Sequence, residues 1–203
     1  MVRIIIFFLF LSTNLFSQSR FQTWPTISLK GEVIDNLDVK FKYRNKYDHK
    51  ESSSVTSWFN MGLEYKLNKS SFGIYYRELH RIKSSEKRPH LDITYQLNDN
   101  MKIRLRNEYR IKEINDNVFR YRLRYSYSLK LFDNYNPFVQ NEIFLSENSF
   151  IRNRINLGLN IKFEKTPFVF KPSYILESNR NGSGENITWS KKNIFVLALS
   201  IKI

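Results

Sequence analysis

The chain contains no cysteine. That excludes a thiol nucleophile, a thiolate metal site, a disulfide framework and a lipoprotein anchor. Glycine is scarce, six residues in 203, and no glycine loop of the phosphate-cradling kind occurs. A GxSxG elbow and an HExxH zinc motif are also missing. Helical periodicity is nearly absent, as are low-complexity segments. Beyond the first seventeen residues no apolar run approaches the roughly 20 residues a membrane helix needs. Acidic residues are few: nineteen Asp and Glu face thirty-three Lys and Arg, for a formal charge of +14.

The first seventeen residues, "MVRIIIFFLFLSTNLFS", carry Arg3, an apolar run from Ile4 to Leu11, and then small and polar residues. This is the layout of a secretory signal peptide over 1–17, with Ser17 before the cut and Gln18 as the new N-terminus. The run is too short for a transmembrane anchor. Residues 18–203 then form a single domain.

What fills that domain is alternation. In "VFRYRLRYSYSL", residues 118–129, Arg120, Arg122 and Arg124 occupy every second position, and Phe119, Tyr121, Leu123, Tyr125 and Tyr127 lie between them. Side chains of an extended chain point alternately to opposite faces, so one face is apolar and aromatic and the other cationic. The same period of two predicts strands near 22–33, 37–47, 54–67, 71–81, 88–97, 101–111, 118–129, 136–146, 150–163, 167–178 and 188–203. Turn chemistry separates them, as in "DN" at 35–36, "NKS" at 68–70 and "NDN" at 98–100. More charged links, such as "IKSSEKR" at 82–88 and "NRNGSGEN" at 179–186, alternate with these. The expectation is tight turns at one end and looser loops at the other.

Alternation suits a soluble sandwich with charge outside, and equally a barrel with lipid outside and a polar lumen. Three features favour lipid. The strands run to about 10–14 residues, as tilted membrane strands do, against a soluble mode of about 5–6. The apolar face is rich in tyrosine (Tyr43, Tyr65, Tyr76, Tyr95, Tyr109, Tyr121, Tyr125, Tyr127, Tyr174), which suits a lipid–water boundary. The chain ends on "NIFVLALSIKI", whose alternate face is apolar through Ile203. Such a strand resembles the signal by which bacterial barrels reach their assembly machinery. The fold expected is all-β: a transmembrane antiparallel up-and-down barrel of about 10–12 strands with an Arg- and Lys-rich lumen. An even count favours ten strands from Leu37 onward, with 22–33 as an extra strand or in the mouth. Twelve strands would hide one within 179–193.

The segments "RPHLDI" (88–93), "RLRNEYR" (104–110), "RYRLRYSY" (120–127), "QNEIFL" (140–145) and "RNRINLGLNI" (152–161) resemble the DUF2490 family of bacterial proteins, typical of the Bacteroidetes. The resemblance covers roughly Trp24 to Ile203. It implies an outer-membrane β-barrel of unknown function and supplies no catalytic residues.

A lumen of arginines alone would repel itself, so carboxylates on the same face should pair with them. Registers centred on the turns predict a belt: Asp92–Arg106, Glu108–Arg122 and Arg124–Glu142–Arg154, with His90 near Glu108. Arginine, which can hold both carboxylate oxygens, suits such crosslinks. Lys40, Lys42, Arg44, Lys46, Arg104, Arg110, Arg120 and Arg152 are left unpaired by this register and would give a positive field. The reading is a structural or narrow-pore barrel that is not an enzyme.

Three alternatives stay open. One is an anion-selective channel. Another is a lipid hydrolase using a rim set of Ser84 or Ser85, His90 and Asp92. The third is a soluble basic β protein that binds polyanions, although the signal peptide argues against nucleic acid as a partner. No cofactor or metal is expected: Glu185 and Asp116 could approach calcium, but neither has loop-ligand spacing.

Overall fold

A computed structural model describes residues 20–114, 116–129, 131, 133–146, 149–182 and 186–203. The expected signal peptide and Glu185 lie outside the described residues. Eleven strands follow one another: β1 (Arg20–Ile34), β2 (Leu37–Asp48), β3 (Ser53–Leu67), β4 (Ser70–Arg81), β5 (Ser84–Gln96), β6 (Met101–Lys112), β7 (Val118–Ser128), β8 (Tyr135–Ser146), β9 (Ser149–Lys162), β10 (Phe168–Asn181) and β11 (Thr188–Lys202). Each pairs antiparallel with its sequence neighbours, and β1 meets β11 in parallel to close a barrel.

The outer face carries the apolar half of the alternation. Ile74 is 70% exposed, Leu91 52% and Leu63 49%, an arrangement that only lipid makes favourable over so large a surface. On β6 and β7 the odd-numbered positions point outward, with Leu105, Phe119, Tyr121, Tyr125 and Tyr127 exposed. Paired rings stud this face towards one end, Tyr109 on Phe119 at 4.7 Å and Phe150 on Trp189 at 5.3 Å. Following cross-strand partners from Ile34 through Leu37, Tyr65, Phe72 and onward to Lys191 arrives beside the start of β1, although the path left from its end. The strands are therefore steeply tilted.

Two expectations about the connections need correction. The short turns are real where asparagine supplies the left-handed backbone, at Asn36 (φ 65°) and Asn68 (φ 50°). The contrast between the two ends is not: β4 and β5 are joined by Ile82 and Lys83 alone, while the β7–β8 connection at the other end spans 129–134. The "IKSSEKR" link is mostly strand, because β5 begins at Ser84. Glu86 and Arg88 look like loop residues by polarity, yet both point inward and are buried.

The count is eleven, neither ten nor twelve. Residues 22–33 are wall, not an extra piece in the mouth, and 179–193 holds no further strand among the described residues. The reason lies in β1 itself. Its Gln22, Trp24 and Thr26 face inward and are buried, while Ile27 and Leu29 face outward. Trp24, 2% exposed, packs on Ile175, Ile194 and Val196 and so staples β1 to β10 and β11. An odd count forces one parallel seam, and the parallel register sets Arg20 beside Lys192 and Lys30 beside Lys202. Arg20 and Ile203 therefore lie at opposite ends of the barrel. An epitope inserted ahead of Arg20 and one appended after Ile203 are expected on opposite sides of the membrane. Antibody staining of intact cells should reach one tag and not the other; staining of both would contradict the parallel closure.

Candidate functional site

The inward positions build a belt of ion pairs at mid-height. Register places Asp92 opposite Arg106, Arg124 opposite Glu142, and Glu142 opposite Arg154. Arg106 grips Asp92 with two hydrogen bonds of 2.6 Å, from Nε and Nη2. Glu142 accepts from Arg122 at 2.8 Å, Arg104 at 3.0 Å and Arg124 at 3.1 Å, with Arg154 at 3.9 Å. The β6–β7 register differs from expectation by two residues: Glu108 lies opposite Arg120, and Arg122 opposite Arg106. Arg122 still reaches Glu108 diagonally at 2.6 Å, while Arg120 donates to it directly. Arg106 at 3.6 Å and Arg77 at 3.7 Å complete a ring of four guanidiniums around this fully buried carboxylate.

Five of the eight cations expected to be free are paired. Arg120 has Glu108, and Arg104 has Glu142 and Asp92. Arg110 has Glu86 at 2.5 Å, Lys40 has Glu64 at 2.5 Å, and Arg152 has Glu177 at 3.8 Å. Sequence reasoning missed Glu86 and Glu177. Glu86 was hidden in the polar segment taken for a loop, and it gathers Arg81, Arg88 and Arg110. Glu177 had a usable signal, its inward parity on β10 beside Ser173 and Ile175; it holds Arg154 and approaches Lys192 at 3.9 Å.

Aromatic rings separate the like charges within the Arg- and Lys-rich lumen. Phe144, 1% exposed, stands among Arg120, Arg122, Arg152 and Arg154, whose guanidiniums lie 4.6–5.4 Å from its centroid. Arg44 and Lys46 cover Trp24 at 4.9 and 4.5 Å, and Arg44 and Arg77 cover Trp58 at 5.2 and 4.6 Å. The negative face of each ring offsets part of the repulsion between the cations around it. Tyr75 is held differently: it fits over Gly62 and Gly73, where an added Cβ would come within 2.3 Å of its ring, and donates to Glu64 at 2.9 Å.

The serine, histidine and aspartate set does not assemble. Ser84 lies six residues before His90 on one extended strand, about 20 Å away, and Ser85 points to the outer face opposite His80. His90 is instead stacked on Tyr75 at 5.1 Å, with Nδ1 3.1 Å from the Arg88 carbonyl oxygen. Glu108 is its cross-strand neighbour, and Asp92 is taken up by Arg106. Among the described residues no three His, Asp or Glu side chains gather as a metal site.

Within the barrel runs a cavity of about 1770 Å³, from Lys30, Lys40 and Lys102 near one end to Arg81 and Arg110 near the other. Its lining holds twenty-one Lys and Arg against five Asp and Glu. Part of the imbalance arises because Asp38, Asp48, Glu86 and Glu108, each no more than 1% exposed, sit behind their partners and do not line it. Eleven strands fall between the barrels of about 8, which side chains fill, and those of 16–18, which leave a water channel.

A closed barrel with an apolar outer wall and a cationic cavity is porin-like, and solved structures agree on the fold. The barrel is similar to the "KdgM porin" (TM-score 0.50, 15% identity, 75% of this chain and 80% of that one). It is also similar to the "KdgM porin in complex with disordered oligogalacturonate" (TM-score 0.51, 14% identity, 82% and 85%). An anion-selective porin from Comamonas acidovorans is more distant (TM-score 0.42, 12% identity, 83% and 54%). No curated protein matches. The chain belongs to the DUF2490 family, described as a protein of unknown function, whose model matches residues 21–188.

Proposed function

We propose that this chain is an anion-selective barrel of the bacterial outer membrane that admits acidic solutes through a narrow, basic lumen. Export by the N-terminal signal peptide and assembly through the C-terminal strand β11 complete the reading. The observation that carries it is the fourfold excess of cations over carboxylates on the cavity wall. A wall of one sign in a low-dielectric enclosure concentrates counter-ions and repels ions of its own charge. The ion-pair belt is then scaffold, holding β5 to β10 together around the pathway. The KdgM porin complex with an oligogalacturonate lends support to acidic solutes on a similar fold. Catalysis is not part of this reading, since the serines and His90 are held apart. A soluble polyanion binder is disfavoured by the apolar outer face.

Purified barrel in a planar bilayer under a potassium chloride gradient tests the proposal. The reversal potential is expected to move toward the chloride equilibrium potential. A cation-selective current, or none, would overturn the reading.

A further inference from the structure

Most inward cations are tied to carboxylates, but one line of them is not. Among the described residues no carboxylate lies within ion-pair distance of Lys42, Arg44, Lys46, Lys102 or Lys171, all of which line the cavity. Arg44 donates to the Thr26 hydroxyl at 2.8 Å. Lys42, Arg44 and Lys46 share β2, while Lys102 on β6 and Lys171 on β10 face the same lumen from other parts of the wall. Glu142 and Glu177 attract Arg44 and Lys46 through space without closing a pair. The three cations of β2 thus form a line that rises from beside Lys40 and runs over Trp58 and Trp24.

We propose that this line is a binding track for a linear acidic oligosaccharide, with successive cations facing successive anionic groups. The inference rests on the anion-selective reading of the cavity. Lys42, Arg44 and Lys46 sit at alternate positions of one strand, about 6.8 Å apart, and point the same way. Trp58 and Trp24 hold them from beneath. Cations in a row at this spacing inside a narrow, low-dielectric enclosure attract a counter-charge. A lone small anion satisfies one or two of them; a chain whose charges repeat satisfies the row at once and gains from linkage. Asn60 and Gln140, which also line the cavity, supply donors and acceptors that suit sugar hydroxyls.

The tryptophans under the track make the test direct. Trp189 faces outward, so W189F leaves Trp24 and Trp58 as the reporters of occupancy. In detergent, a hexasaccharide of uronic acids is expected to change their fluorescence saturably, and salt should weaken the effect. The monosaccharide should bind at least about 100-fold more weakly. K42Q, R44Q and K46Q orphan no carboxylate and relieve repulsion, so each should keep the heat-sensitive gel mobility of a folded barrel. Each should weaken the hexasaccharide by about tenfold, the effect of one lost charge-assisted contact. K87Q, on the outer face, should not. Equal affinity for the two sugars, no binding, or tighter binding of inorganic tripolyphosphate would overturn the assignment. Hexasaccharide binding without anion-selective current would sink the pore reading and leave the track standing. Anion-selective current without binding would do the reverse.

Discussion

Glu108→Gln is expected to lower the unfolding free energy of the detergent-solubilised barrel by about 3–5 kcal/mol, the scale for removing one member of a buried ionic cluster. Glu108 is fully buried, with Arg120, Arg122, Arg106 and Arg77 around it. Neutralising it leaves four guanidiniums facing one another with no anion between them. Glutamine keeps the shape and one carbonyl oxygen, so the loss reports charge rather than volume. The gel band of the unboiled protein should lose its compact mobility at a markedly lower temperature. Glu142→Gln is the informative comparison. Glu142 also gathers several arginines but lines the cavity, whereas Glu108 does not. Both variants should destabilise, and only Glu142→Gln should raise anion preference in bilayers. An unchanged midpoint for Glu108→Gln would show that the belt is not scaffold.

Trp24→Ala is expected to cost about 3–5 kcal/mol, as large-to-small changes at buried aromatic sites do, and to loosen one seam in particular. Trp24 is the β1 side chain in the apolar cluster of Ile175, Ile194 and Val196. Parallel pairing is slightly weaker per residue than antiparallel pairing, so the β1–β11 seam depends more on this packing than other seams do. Arg44, Lys46 and Arg154 would lose the ring between them as well. Hydrogen exchange should show faster opening of β1 and β11 than of β6 and β7. Uniform exchange around the barrel would mean that Trp24 acts only as a filler.

Much of the fold is legible because a period of two is a local property. The alternation of Phe119, Arg120, Tyr121 and Arg122 assigns faces without knowledge of any partner. Turn-centred registers also placed Asp92 opposite Arg106 and Arg124 opposite Glu142, since short connections leave an antiparallel pair little freedom. The longer 113–117 connection let the next register differ, and Glu108 came to face Arg120. Strands polar on both faces were harder to see. Ser84–Arg88 has the composition of a loop, and only burial against Arg110 reveals it as wall.

The sequence by itself determined the alternation, the two faces, the likeness to DUF2490 and the need for carboxylates to accompany the arginines. Closure was decided in three dimensions. Whether β1 joins the wall depends on Trp24 meeting Ile194 and Val196 some 170 residues later, a contact with no local signature. The tertiary structure also decided which charges meet across strands. Arg104 reaches Glu142 thirty-eight residues away, while Lys42, Arg44 and Lys46 reach no carboxylate among the described residues. Alternation says that a side chain points inward. Barrel curvature and strand tilt bring particular inward side chains together, and these depend on the whole closed ring rather than on any segment of it.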